Sequence, residues 1–223
     1  LNGDNVILNY SGNNSLTIKN GKNKAITSIV GKKSNVNIYR TDGIFNTNKT
    51  AVTLASSLTE FNAASYSSLV TIVGSMTGKL NVVGNAKANR IIAGAIGSTL
   101  NGGKGNDTLW GGAGNDEFIY KAGDGNDVIK GNAGNDELNG EDGNDKLLGG
   151  NGNDTLNGGD GNDTMTGGKG RDIFVFDSNS GDDVITDYES GKDAIMLDDD
   201  IEAVTVKGKN VILIVGDNTL TIK

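Results

Sequence analysis

The chain is 223 residues long, enough for one large domain or two modest ones, yet only 35% of it is hydrophobic and 35 residues are glycine. Cysteine, histidine and proline are absent, which excludes a disulfide framework, thiolate or imidazole zinc sites and most hydrolase triads. The net charge of −8 divides unevenly: residues 1–73 carry seven Lys/Arg against three acids (+4), residues 74–223 thirteen against twenty-five (−12), and so acidic a C-terminal two-thirds would repel nucleic acid.

Short strands are expected over 6–8, 16–18, 25–30 and 36–39, separated by Gly/Asn/Lys turns. Two more follow over 52–54 and 69–73, with a short helical turn near 58–61. No apolar run reaches bilayer-spanning length, so no membrane span is expected, and the first residues lack the basic-then-apolar order of a signal peptide. From about residue 70 a nine-residue frame sets in. SMTGKLNVV from Ser75, GNAKANRII from Gly84 and AGAIGSTLN from Ala93 keep Val82, Ile91 and Leu100 in its eighth place. Their sixth place holds Leu80, Asn89 and Ser98, none of them a carboxylate, so these turns are expected to cap the stack without binding metal.

The frame then becomes a repeat: GGKGNDTLW from Gly102, GGAGNDEFI from Gly111 and, after two extra residues, AGDGNDVIK from Ala122. GNAGNDELN, GEDGNDKLL, GGNGNDTLN, GGDGNDTMT and GGKGRDIFV follow without a break from Gly131, and SNSGDDVIT from Ser178 is a worn ninth copy after two more extra residues. Five copies keep G-G-x-G-x-D whole and three lose one glycine. Glycine at the first, second and fourth places is expected to admit positive φ and a tight turn. Aspartate at the sixth puts a carboxylate on that turn. Two places later an apolar side chain points inward: Leu109, Phe118, Ile129, Leu138, Leu147, Leu156, Met165, Phe174 and Ile185. Each strand is too short to fold alone, so stability is collective along the stack. A solvated Gly/Asn/Asp linker would not keep an apolar residue two places after every Asp.

This pattern resembles the RTX (repeats-in-toxin) family of type I-secreted bacterial proteins, whose nonapeptide is GGxGxDxUx. The resemblance implies an all-β fold, a right-handed parallel β-roll with two nonads to a coil and Ca2+ between turns n and n+2. It implies one column of Asp107, Asp127, Asp145, Asp163 and Asp183, and a second of Asp116, Asp136, Asp154 and Asp172. The other ligands it implies are backbone groups of the glycine turns. These turns are marked by Gly103, Gly105, Gly112, Gly114, Gly123, Gly125, Gly134, Gly143, Gly150, Gly152, Gly159, Gly161, Gly168 and Gly170. Carbonyls with one carboxylate suit six to eight oxygens, hence calcium rather than the tighter octahedron of magnesium. Nine turns allow at most seven sites, and wear and insertions lower that to five or six. The chain is thereby divided into an N-terminal β domain (1–69), metal-free turns (70–101), a calcium-binding roll (102–190) and a C-terminal β cap (191–223).

Both two-residue insertions lengthen a strand and bring an aromatic pair, Phe118/Tyr120 and Phe174/Phe176, which is expected to fill a larger coil. Strands are expected again over 194–197, 204–206, 211–215 and 220–222, and Asp198–Asp199–Asp200 reads as a solvated turn lacking the later residues of an EF-hand loop. The two ends resemble each other: NVILNYSGNNSLTIK from Asn5 and NVILIVGDNTLTIK from Asn210 both read as β-hairpins. That likeness suggests one period of a longer tandem protein.

No nucleophile elbow, Walker A loop or HExxH helix occurs, so no enzymatic activity is expected. Five glycosylation-type sequons, at Asn13, Asn48, Asn106, Asn153 and Asn162, read as incidental. The function expected is a calcium-stiffened spacer of a secreted or cell-surface protein, of adhesin, filament or surface-layer type, with head-to-tail self-association through its ends. The rival is the secretion and folding module of an RTX hydrolase or cytolysin. More copies of the hairpin in the full gene would favour the first, an upstream catalytic domain the second.

Overall fold

The structure, a computed structural model, describes residues 50–54, 60–74, 78–119, 125–178 and 180–223, together with the backbone strands 5–10, 14–19, 37–40 and 43–45. The strand expected over 25–30 lies outside the described residues, as do 58 and 59 of the expected helical turn. All regular structure among the described residues is strand, and none of it is a helix able to cross a membrane.

An antiparallel unit comes first. β1 (Asn5–Tyr10) and β2 (Asn14–Lys19) form the expected hairpin, with Leu8 opposite Leu16. The other side of β1 takes β3 (Asn37–Arg40), which places Ile38 opposite Leu8. β4 (Gly43–Phe45) and β5 (Ala51–Leu54) continue antiparallel.

From β5 to β20 the chain winds, laying odd-numbered strands on one sheet and even-numbered strands on the other, with successive coils pairing parallel. The first coils use β6 (Glu60–Asn62), β7 (Thr71–Val73), β8 (Asn81–Asn85), β9 (Arg90–Ile92) and β10 (Thr99–Gly103). The repeat supplies β11 (Thr108–Ala113), β12 (Glu117–Phe118), β13 (Val128–Ala133), β14 (Glu137–Asn139), β15 (Lys146–Asn151) and β16 (Thr155–Asn157). β17 (Thr164–Lys169), β18 (Ile173–Phe176), β19 (Asp183–Ile185) and β20 (Ala194–Leu197) complete the roll. β21 (Ala203–Lys207), β22 (Asn210–Val215) and β23 (Asn218–Ile222) then form an antiparallel unit whose last strand docks parallel to β19. The second terminal hairpin is therefore also as expected.

This parallel β-roll has a core one residue wide. Leu109, Ile129, Leu147, Met165 and Ile185 stack in register under one sheet, and Leu100, Phe118, Leu138, Leu156 and Phe174 under the other. All ten are at most 1% exposed. Phe176 is also fully buried, so the second insertion fills its longer coil with the expected pair, while Tyr120 of the first lies outside the described residues. Parallel stacking reaches further toward the N-terminus than the nine-residue frame does. Val52 pairs with Ile72 and Phe61 with Val82, and all four are buried. Glu60 and Phe61 thus lie in a strand, not in a helical turn. The frame misses these coils because they need only the inward apolar residue, and do without the glycine–aspartate turn.

Candidate metal centre

The turn Gly149–Asp154 shows how the repeat is built. Its second and fourth glycines adopt left-handed φ, 121° at Gly150 and 132° at Gly152, values that a Cβ disfavours. The first glycine does something else. Gly149 has no positive φ; a Cβ there would fall 2.6 Å from the Gly167 carbonyl oxygen and closer still to Oδ2 of Asp154. Left-handed freedom, expected at all three glycines, is thus needed at two, and the first is bare because two oxygens converge on it. The same pairing of a carboxylate Oδ2 with a carbonyl from the next turn recurs at Gly111, Gly131 and Gly140. Where the second glycine is replaced, Asn132 and Glu141 are forced to φ of 78° and 64°.

The carboxylates fall into the two columns expected. In one, the backbone N–H of Asp107 donates to Oδ1 of Asp127, and the pattern repeats through Asp145, Asp163 and Asp183 at 2.6–2.8 Å. In the other, Asp116, Asp136, Asp154 and Asp172 are linked in the same way at 2.8–2.9 Å. All nine are buried. Each column is capped by a neutral residue at its N-terminal end: Asn89 N–H donates to Asp107 and Ser98 N–H to Asp116, each at 2.6 Å. The Asn89 amide also donates to the Leu69 carbonyl at 3.1 Å.

Two features escaped the sequence reading. Asp193 extends the second column, its Oδ1 accepting from Asp172 N–H at 3.0 Å and its Oδ2 from Glu189 N–H at 2.8 Å. The segment Gly191-Lys192-Asp193-Ala194-Ile195 keeps the fourth, sixth and eighth places of the nonad, a signal masked by the loss of the first two glycines. With it the columns hold eight successive carboxylate pairs, against the seven counted from the nonads. The second feature is the fifth place. Asn106, Asn126, Asn144 and Asn162 form an outer ladder in which each Oδ1 accepts the next turn's N–H at 2.8–3.2 Å, ending on Asp182. Asn115, Asn135 and Asn153 do the same on the other edge, ending on Arg171. Asparagine in seven of nine fifth places was the available signal, and the sequons at 106, 153 and 162 are by-products of this ladder.

The electrostatics fit a cation. Oδ2 of Asp116, Asp136, Asp145, Asp154, Asp163 and Asp183 is buried and accepts no hydrogen bond. An orphaned buried acceptor is unfavourable unless something positive reaches it. Burial is the largest influence on these groups and raises their pKa, to about 8 at Asp145, about 7 at Asp116, Asp154 and Asp183, and about 6 at Asp163. The backbone N–H each accepts pulls the other way, and at Asp145 the neighbouring Asp163 and Asp127 raise it further. Among the described residues no three acidic side chains meet, and the oxygens that converge at the turns are single carboxylates and backbone carbonyls. Such oxygens suit calcium. Gly123 lies outside the described residues; the other second- and fourth-place glycines sit on the turns that carry the aspartates.

Fold and donor set together define a calcium-binding repeat module. Residues 96–185 match the RTX calcium-binding nonapeptide repeat in four overlapping copies, at 96–124, 121–156, 139–174 and 148–185. The match covers the repeat region, 90 of the 223 residues. Among solved structures it is similar to the extracellular lipase LipA from Serratia marcescens, at 15% identity and a TM-score of 0.35, over 66% of this chain and 38% of the lipase. No curated protein matched the sequence.

Proposed function

We propose that this chain is a non-catalytic, calcium-stiffened structural module of a secreted bacterial surface protein, of adhesin, filament or surface-layer type, self-associating head to tail. Its two columns, Asp107/127/145/163/183 and Asp116/136/154/172, would hold five to seven Ca2+, with carbonyls of the glycine turns as the remaining ligands. The observation carrying this reading is the row of buried Oδ2 atoms facing bare first-place glycines. The eighth pair is not counted, because both oxygens of Asp193 already accept N–H donors.

Bound Ca2+ supplies the positive charge that lets stacked carboxylates ionise. The chain's own residues do the rest. Glycines remove the side chains that would fill the site, the Oδ1 hydrogen bonds fix each carboxylate, and the apolar column excludes water from one side. Glycine-rich chain entropy has little burial to offset it, so the ion decides whether the roll forms. Secretion is supported by the family, since extracellular calcium lies in the range such modules sense, about 10⁻⁴–10⁻³ M.

Circular dichroism against free calcium tests this. The β signal of the roll is expected to collapse in chelator and return with a midpoint in that range. A β spectrum indifferent to chelator would overturn the proposal.

A further inference from the structure

Among the described residues the 15-stranded sheet ends on β2 at one side and on β21 at the other. The units behind these edges are built alike. β22 aligns with β1 in sequence, so that Leu213 corresponds to Leu8 and Ile214 to Asn9. On β1 these positions are paired by Ile38 and Asn37 of β3; on β22 they are paired by Val204 and Ala203 of β21. β21 therefore stands where β3 stands. The difference is what lies beyond: β3 is covered by β4, whereas among the described residues nothing pairs with the outer side of β21.

Its face is bare as well. Val204 lies opposite Leu213, which is buried in the core, and Val206 lies opposite Val211, which packs against it. Directly opposed residues share a face, so both valines belong to the inward side of the sheet. The second sheet ends at β20 and leaves that side uncovered, with Val204 60% and Val206 69% exposed. An uncovered apolar strand with free N–H and C=O groups is a template for another strand.

The geometry points to β21 as the docking edge for a second copy of this chain, which adds its own N-terminal hairpin through β2. Charge favours this occupant. The loop before β21 carries Asp198, Asp199, Asp200 and Glu202, whereas residues 1–73 of the incoming copy carry +4. The contact joins two different edges and so propagates into a filament. This inference rests on the self-association proposed above and names its surface.

Sedimentation velocity of the full chain in millimolar calcium tests it, with a Val204→Lys/Val206→Lys double variant alongside. The native chain is expected to grow with concentration. The double variant is expected to associate at least tenfold more weakly while keeping its calcium-dependent β signal. Because the chain has no cysteine, Val206→Cys and Thr17→Cys chains mixed under mild oxidation should form a mixed disulfide. Growth that survives in the double variant, without the mixed disulfide, overturns the β21 assignment and leaves self-association standing. A native chain that stays monomeric overturns both.

Discussion

The backbone N–H of Asp145 donates to Oδ1 of Asp163, one coil further on, at 2.7 Å, and Asp145 presents its own Oδ1 to Asp127 at 2.6 Å. Each central aspartate thus belongs to two inter-turn pairs, one on either side, whereas Asp183 is followed by Leu220 of β23 and belongs to one.

Position in the column should therefore set the damage. Asp145→Ala or Asp154→Ala is expected to remove two bound calcium ions, and Asp183→Ala one. Native mass spectrometry or calorimetric stoichiometry reads the difference. Equal losses would mean that the sites are independent rather than shared between turns.

Acidity should act in opposite directions with and without calcium. In the unfolded chain an Asp carboxyl titrates near 3.9. Burial moves it up to about 8 at Asp145 and about 7 at Asp154 in the fold. Between those values the folded form holds more protons, so the calcium-free roll is most stable below about pH 4 and loses stability as pH rises toward 8. Calcium needs the ionised form, so its affinity climbs across the same window. Circular dichroism in chelator at pH 5 and pH 8 checks this; a chelated protein with more β signal at pH 8 than at pH 5 contradicts it.

The first-place and second-place glycines should fail differently. Gly149→Ala pushes a methyl into Oδ2 of Asp154 and the Gly167 carbonyl, and overpacking of this kind is expected to cost roughly 1–3 kcal/mol together with calcium affinity. Glu141→Gly goes the other way. It relieves a left-handed φ of 64° at the expense of one hydrogen bond from Asn139, for a gain of up to about 1 kcal/mol in calcium. Denaturant melts of the calcium-loaded variants distinguish the two signs.

The asparagine ladder should support the stack without binding the ion. Asn144→Ala removes the acceptor for Asn162 N–H at 2.8 Å on an exposed edge, and is expected to lower stability by about 1 kcal/mol. Its calcium stoichiometry should equal that of the native chain. A lost ion would place the ladder within the site.

Much of this was legible because the repeat states its geometry in one dimension. An apolar residue every nine positions fixed the column from Leu109 to Ile185, and the aspartate two places earlier fixed the carboxylates. What stayed hidden was chemistry that the notation GGxGxD erases. The fifth-place asparagine was an x, yet it is a hydrogen-bonding position from Asn106 to Asn162. The first glycine looked like the second, although one avoids a clash and the other a dihedral penalty. Asp193 was missed because Tyr188 and Glu189 stand where the first two glycines would, although Gly191 keeps the fourth place with a φ of 84°. The early coils at Val52 and Phe61 were missed for a related reason, since burial alone leaves a weaker trace than burial joined to a tight turn.

A core one side chain wide has a consequence for reach. Each coil spends 18 to 21 residues, the spacing between linked aspartates, to advance by one strand separation of about 4.8 Å. From β5 to β23 the parallel strands of one sheet thus span only roughly 38 Å. Length in such a rod is metered in whole coils: adding or deleting one changes the distance between its ends by a fixed step and leaves every remaining contact in register.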